Sequence, residues 1–454
     1  MPRWPVCPRS AEAKTAARAA GRGGIVRLLL WLFLLAPLLV MGERQTGIAA
    51  CRAIADLASN GAYGLADAQG AITDACNADR ALVPASVIKI ATVSAALAIL
   101  GPDYRFRTEL FVDDRDNLFV KGFGDPSLVS EEVAELAGQL QRQGLRRVHT
   151  LYVDTSAFAL ERQVPGREDS DNPYDAPVGA LSVNFNAVAL TRDKSGRIAS
   201  GESQTPVLPI MRELGQGRPT GSWRVNVCAR GCDDAQARVA RYAGELFQAI
   251  LEQNGIAVAA FGGIRPAPAT ARLVHAHESR QTLTDISGAC LRYSSNFMAN
   301  LIFLASGAKR FGYPATWEKA RQAVHQELAS QLGNATAAAI VQVDGAGLSR
   351  DNRVTARAML QVLTRFRPHL DLLNQERGVA VKTGTLTGVY NLAGYLPDGR
   401  SFVILLNQPA NRRGDILARL LQRTGPGGSE RETGNYLTRS ADKKMNSSGR
   451  ADRQ

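Results

Sequence analysis

The chain of 454 residues is 45% apolar and 21% charged, which suits two or three packed globular units and supplies a sizeable core. Its net charge of +12 sits largely at the ends: residues 1–27 hold six Arg/Lys against one Glu, and residues 424–454 hold six basic against four acidic residues. The remaining body, at about +5 with no run of Lys/Arg, excludes a nucleic-acid partner.

The amino terminus reads as an export signal. Behind the basic stretch ending at Arg27 comes the uncharged run LLLWLFLLAPLLVM, residues 28–41. It is shorter than the ~20 residues a membrane-spanning helix needs, and it matches the apolar region of a signal peptide cleaved near Gly42. Residues 1–42 are therefore expected to send the chain to the periplasm or cell envelope, being either removed or kept as an anchor with weak membrane association. Cys7 falls in this leader, which leaves Cys51, Cys76, Cys228, Cys232 and Cys290. Export permits disulfides. Cys228 with Cys232 and Cys51 with Cys76 are the candidate pairs, and the odd number leaves a thiol over. Zinc at Cys228/Cys232 would lack a second Cys/His pair, so neither a metal nor a cofactor is expected.

Further along, AYGLADAQGAI reads as a strand turning at Gly70, and SVIKIATVSAALAILG as an apolar helix stopped by Gly101-Pro102. ELFVDD and NLFVKGFGDP suggest a hairpin around Asp114–Asn117. HTLYVD and SWRVNV read as strands, and residues 235–253 as a helix with Val239, Tyr242, Ala243, Leu246, Phe247 and Ile250 on one face. A helix near 294–306, the strands GVAVKTGTL and SFVILLN, and a closing helix through Ile416, Leu417, Leu420 and Leu421 follow. The tail from Thr424 is Gly/Ser/charge-rich and expected to be disordered. The pattern is α+β with no βαβ rhythm.

Three short stretches carry chemistry. In PASVIKI, Ser86 and Lys89 stand three residues apart on one helical face, near a helix start that favours developing negative charge. A serine needs a base to become nucleophilic. Lysine serves only if desolvation lowers its pKa, which Val87, Ile88 and Ile90 are suited to impose. In VKTGTL, Lys382, Thr383, Gly384 and Thr385 offer a cation, two hydroxyls and a glycine where an extended peptide with a free carboxylate could lie. In SSN, Ser294 and Asn296 stand at the start of an apolar helix, placed to relay a proton and to hold a substrate amide. Each pattern is common by itself. SGAK, Ser306–Lys309, repeats the Ser-x-x-Lys spacing but reads as a helix end followed by a turn, and SVN, Ser182–Asn184, repeats Ser-x-Asn within a strand-like stretch.

Ser-x-x-Lys, Ser-x-Asn and Lys-Thr-Gly in that order resemble the signature of penicillin-binding proteins and class A β-lactamases. The stretches GFGDPSL, YDAPVGALSVNFN, YSSNFMANLIFLA, VDGAGLSRDNRVT and VKTGTLTGVYNLAGYL extend the resemblance to the D-alanyl-D-alanine carboxypeptidase/endopeptidases, the low-molecular-mass class C penicillin-binding proteins, over residues of about 50 to 422. The resemblance implies an α+β fold with a transpeptidase/β-lactamase-like core, an antiparallel sheet flanked by helices, formed by residues 43–110 and 275–423. Residues 111–274 would be inserted, which accounts for the separation of 208 positions from Ser86 to Ser294. It also implies roles. Ser86 is the acylated nucleophile, Lys89 its base, Ser294 the proton relay, Asn296 a ligand of the peptide amide and Lys382 the partner of the relay. Thr383 and Thr385, with Gly384 between them, hold the terminal carboxylate, and the backbone N–H groups of Ser86 and Thr385 form the oxyanion hole. The implied substrate is a peptidoglycan stem peptide ending in D-Ala-D-Ala, with β-lactams as covalent inhibitors. A β-lactamase and a non-catalytic peptidoglycan-binding protein are the alternatives. Three departures stand out: Ser295 where Asp or Asn is commoner, Asn300 in place of an acid, and a shortened segment before Lys382.

Overall fold

A computed structural model describes residue 51 and residues 54–424 apart from 162, 163, 377 and 378. The expected signal segment, Cys7 and the expected disordered tail lie outside the described residues. In the first part of the chain come β1 (Gly61–Ala66), β2 (Ile72–Cys76), α1 (Lys89–Leu100), β3 (Arg107–Val112), β4 (Leu118–Gly122), α2 (Ser130–Arg142) and β5 (Arg147–Asp154). Next are β6 (Ala187–Arg192), β7 (Ile198–Ser200), α3 (Pro209–Gly215), β8 (Gly221–Asn226), α4 (Ala235–Gln253), β9 (Ala257–Ile264) and β10 (Arg272–Glu278). Helices α5 (Leu283–Tyr293), α6 (Asn296–Phe311), α7 (Trp317–Leu332) and α8 (Asn334–Ala338) precede β11 (Ile340–Val341), β12 (Arg353–Val354) and α9 (Ala356–Phe366). The last elements are β13 (Asn374–Glu376), β14 (Val379–Leu386), β15 (Val389–Tyr395), β16 (Ser401–Leu406) and α10 (Arg413–Thr424).

The two ends of the described chain build one antiparallel sheet of six strands in the order β13-β14-β15-β16-β1-β2. Every residue of β1 and β16 is buried, as expected of central strands covered on both faces. One face meets α1, α5, α6, α7 and α9 in the largest apolar core, and the other meets α10 and the segment around Ile54. Helix α1 is apolar on nearly all sides, and a helix of that kind is stable only when enclosed. That enclosure is what buries Lys89.

Between β3 and β10 the chain leaves this core. A five-stranded sheet, β10-β3-β4-β5-β9, and a three-stranded one, β7-β6-β8, share a second core with α2, α3 and α4. Here the expectation of no βαβ rhythm fails. β4 and β5 run parallel with α2 as the crossover, and β5 and β9 run parallel with α4 before the last strand. The pattern Val133, Leu136, Ala137, Leu140 marks α2 in the sequence.

Two other expectations are corrected. The stretch from Ser182 is not strand until Ala187, because Asn184, Phe185 and Asn186 take positive φ values of 47°, 60° and 50°. SGAK does lie at the end of α6, with Lys309 in its last turn and Gly312 just after it, but its serine is not an exposed cap. Ser306 is fully buried and donates to the Ile302 carbonyl at 2.9 Å, while Gly307 lets α6 approach α7 so closely that a Cβ would lie 2.5 Å from Ala320 N. Both candidate disulfides are present, Cys51–Cys76 and Cys228–Cys232, and Cys290 is the buried free thiol.

Candidate active site

Ser86 sits in a single 3₁₀ turn, Ala85–Ile88, that runs straight into α1 at Lys89. The turn is held from outside. Asn391 on β15 donates to the Val83 and Pro84 carbonyls at 2.9 and 2.7 Å, and Asn407 accepts from Val83 N at 2.8 Å. Two glycines let neighbouring backbone close on it. A Cβ on Gly384 would lie 2.7 Å from Pro84 O, and one on Gly347 would lie within van der Waals radii of the Ala85 carbonyl. Ala85 itself is held at φ 46°, a conformation that costs an unbranched residue of order 1 kcal/mol and persists only where its surroundings enforce it.

Lys89 has no solvent exposure. Its Nζ lies 2.8 Å from Ser86 Oγ, 2.8 Å from Asn296 Oδ1 and 2.6 Å from the Ala346 carbonyl. Burial lowers its pKa to about 8, with Cys290 and Asp344 pulling the other way. The Ala346 carbonyl is aimed by a tight loop around the buried Asp344 side chain. One carboxylate oxygen accepts the N–H groups of Ala346, Gly347 and Leu348, and the other accepts Ser349 N and Asn352 Nδ2.

The SSN stretch is the junction of α5 and α6. Ser294 ends α5 in the left-handed conformation, φ 55°, and Ser295 caps α6 by accepting from Met298 N. That reversal throws Ser294 and Asn296 toward the same side. Ser294 Oγ accepts from Lys382 Nζ at 2.8 Å, and Asn296 Nδ2 donates to the Tyr174 carbonyl at 3.0 Å. Asn300, one turn on, accepts from Gly345 N and so ties α6 to the Asp344 loop. On β14, Lys382 is nearly fully buried and also reaches the Thr383 carbonyl, whereas Thr383 is half-buried and Thr385 exposed. Arg413 at the start of α10 donates to Thr385 Oγ1 at 3.0 Å. Ser86, Ser294, Asn296 and Thr385 open into one cleft of about 500 Å³, walled by Arg167, Glu168, Tyr174, Asp175 and Arg350.

All eight predicted residues therefore converge from three separate stretches of chain. The decoys do not. Ser182 bonds only its own turn at Gly179 and Asn186, and Asn184 is buried against Ser130 and Tyr242 in the second core. Sequence reasoning missed Asp344, Asn391, Arg413 and the Tyr174 carbonyl. Asp344 lies in a stretch already singled out, VDGAGLSRDN, and an aspartate opening a Gly-x-Gly turn is a usable signal. Asn391 and the Tyr174 carbonyl act across more than a hundred residues and Arg413 from another element 28 residues on, so none leaves a local trace.

The sequence model of the D-Ala-D-Ala carboxypeptidase 3 (S13) family matches residues 60–375. The chain belongs to this family. It is a peptidase, hence a hydrolase. It is 29% identical over 385 residues to the D-alanyl-D-alanine carboxypeptidase of Actinomadura sp. (strain R39), covering 70% of this chain and 71% of that one. It is 26% identical to the carboxypeptidase DacB of Haemophilus influenzae, covering 73% and 81%. In fold it is similar to the crystal structure of penicillin binding protein 4 (dacB) from H. influenzae, with a TM-score of 0.66 at 22% identity over 88% of this chain and 98% of that one. The same H. influenzae protein complexed with a β-lactam matches with a TM-score of 0.61 at 22% identity, over 82% and 96%. The S13 fold thus carries the α+β core expected from the motifs.

Proposed function

We propose that the protein is an exported serine D-Ala-D-Ala carboxypeptidase that works through an acyl-enzyme on Ser86. The observation that carries this reading is the pairing of a fully buried Lys89, its pKa lowered to about 8, with Ser86 Oγ at 2.8 Å. A neutral Lys89 takes the Ser86 proton as Oγ attacks the carbonyl between the two D-alanines. The oxyanion is received by the backbone N–H groups of Ser86 and Thr385, where one such donor is typically worth ~3–4 kcal/mol. The C–N bond breaks as Ser294, polarised by Lys382, returns a proton to the departing D-alanine. Asn296 holds the peptide amide, and Thr383 and Thr385, backed by Arg413, hold the terminal carboxylate. Water then enters the same geometry and releases the shortened stem peptide. Cleavage of D,D cross-links uses the same steps on a different leaving amine.

The relatives' names support a D-alanyl-D-alanine substrate, and the β-lactam in a relative's structure supports covalent inhibition by penicillins. Peptidoglycan is accordingly the partner, in the periplasm or cell envelope, with residues 1–42 as the export signal. Among the described residues no helix is long and apolar enough to cross a membrane. The same reading divides the chain into a core of residues 43–110 and 275–423 with 111–274 inserted.

Labelling with a fluorescent penicillin tests the assignment. Wild type should take up one label per chain at Ser86, and Ser86→Ala none; label retained by Ser86→Ala would sink it. The lifetime of the adduct separates a carboxypeptidase, which holds it for minutes to hours, from a β-lactamase, which releases it within milliseconds. Release of D-alanine from a stem peptide excludes a purely binding role.

A further inference from the structure

Outside the cleft, three side chains with ligand atoms meet where the inserted region joins the core. Asp125 comes from the loop after β4, Glu132 from the first turn of α2, and His277 from β10. All three are buried, and their nearest ligand atoms lie within 4.8 Å of one another. His277 Nε2 is 3.2 Å from Glu132 Oε2, and among the described residues this is the one ion pair that either makes. Two carboxylates thus stand beside one imidazole in a buried place, and burying charge so sparsely matched is costly.

The cluster also contains oxygens without a partner among the described residues. Asp125 Oδ1 accepts both the N–H and the hydroxyl of Ser127, but Asp125 Oδ2 is buried and finds no hydrogen-bond partner among them. Thr108 Oγ1 is likewise buried without a partner, and Thr108 stands directly opposite His277 across the β3–β10 pairing, on the same sheet face. Unpartnered buried oxygens are rare in native proteins and call for a specific cause. The Ser127 hydroxyl meanwhile bridges Asp125 to Ser279, which orients the carboxylate as outer groups orient metal ligands.

We propose that Asp125, Glu132 and His277 bind a divalent metal ion, of the zinc class by their nitrogen-and-carboxylate donor set, with Thr108 Oγ1 or a water completing the shell. Zinc–ligand bonds of 2.0–2.2 Å imply a tetrahedral edge of about 3.3 Å, close to the 3.2 Å between His277 and Glu132. The ion would neutralise the excess negative charge and clamp α2 and the β4 loop onto β10. Its role is structural and independent of Ser86. This set is unrelated to Cys228 and Cys232, which are spent in a disulfide.

The test uses the untagged full chain, refolded with zinc chloride, desalted and analysed for metal by mass spectrometry. About one zinc per folded chain is expected, with a melting temperature several degrees above that of protein refolded with a chelator. Asp125→Asn and His277→Gln should each lose the zinc, while His275→Gln, two residues away on the same strand, should keep it. Should the first two fail to fold, refolding wild type with cobalt decides, since tetrahedral nitrogen/oxygen ligation gives intense visible bands. Folded wild type with less than about a tenth of a zinc per chain, zinc retained in both ligand variants, or cobalt without those bands would overturn the proposal.

Discussion

At the scale of single residues, the proposed chemistry turns on a lysine that must be uncharged to work. Because burial lowers the Lys89 pKa to about 8, the fraction in the base form rises with pH through that value. The acylation rate constant for penicillin should therefore fall about tenfold per pH unit below 8 and level off above it, measured by stopped-flow; a rate flat between about pH 6 and 9 would remove Lys89 as the base. Asp344 gives a second reading of the same lysine. Its carboxylate favours the charged ammonium, so Asp344→Asn should move the midpoint of this profile to lower pH. The asparagine amide would also face the donors Ser349 N and Asn352 Nδ2, costing about 2–3 kcal/mol of stability by denaturant unfolding. An unmoved midpoint with lowered stability would leave Asp344 a merely structural part. The residues proposed to meet the reacting atoms were legible in the sequence because their spacing is local: Ser86 and Lys89 share a turn, Ser294 and Asn296 a junction, and Lys382 to Thr385 a strand. What positions them was not. Asn391 reaches Val83 across 308 residues, and Arg413 reaches Thr385 from another element, so neither pairing leaves a mark in any short window.

Elements decide how closely those residues approach. β14 lies against the Ser86 turn through Gly384, where a Cβ would meet Pro84 O at 2.7 Å and the Val87 and Ser86 nitrogens at 3.1 and 3.2 Å. Gly384→Ala should push the strand away from the turn and spread the Ser86 and Thr385 N–H groups. Acylation should then drop roughly 100-fold or more while the melting temperature changes little, since the backbone there is ordinary strand. Loss of folding in place of loss of rate would show that the contact serves stability alone. α10 contributes through Arg413. Arg413→Gln should raise KM for a D-Ala-D-Ala peptide far more than it lowers kcat, with Arg413→Lys in between, and a loss confined to kcat would place it elsewhere in the reaction. Among elements, legibility followed periodicity. The helix over Ala235–Gln253 was read to its ends because its apolar face repeats for five turns. α2, with one face of four residues, went unread, and with it the parallel pairing that it makes possible. The run from Ser182 alternates like a strand, yet three successive positive φ values hold it in a turn that tertiary bonds to Ser130 and Pro177 select.

In the whole molecule, the six-stranded sheet is closed by the two ends of the described chain, so its edge depends on residues far from the catalytic motifs. Cys51 precedes β1 and Cys76 ends β2, the outer strand, and their disulfide encloses both strands in a loop with a separation of 25 residues. Ile54, Leu57 and Cys76 pack with β16 and α10 beneath it, so this loop carries part of the second apolar face. Restricting a loop of that length in the unfolded chain is worth about 3.5 kcal/mol, whereas the separation of 4 at Cys228–Cys232 is worth about 2 kcal/mol. Cys51→Ser/Cys76→Ser should accordingly lower the melting temperature by roughly 5 °C or more, and by more than Cys228→Ser/Cys232→Ser does. Penicillin acylation at 25 °C should be kept in both, because neither bridge touches the turn that holds Ser86. A drop at least as large should appear in wild type under a thiol reductant, which opens both bridges, and would tie full stability to an oxidising compartment of the kind the proposed export supplies. Equal melting temperatures for wild type and the Cys51/Cys76 variant, or a larger loss from the short Cys228–Cys232 loop, would show that apolar packing under β2 holds this edge without the bridge.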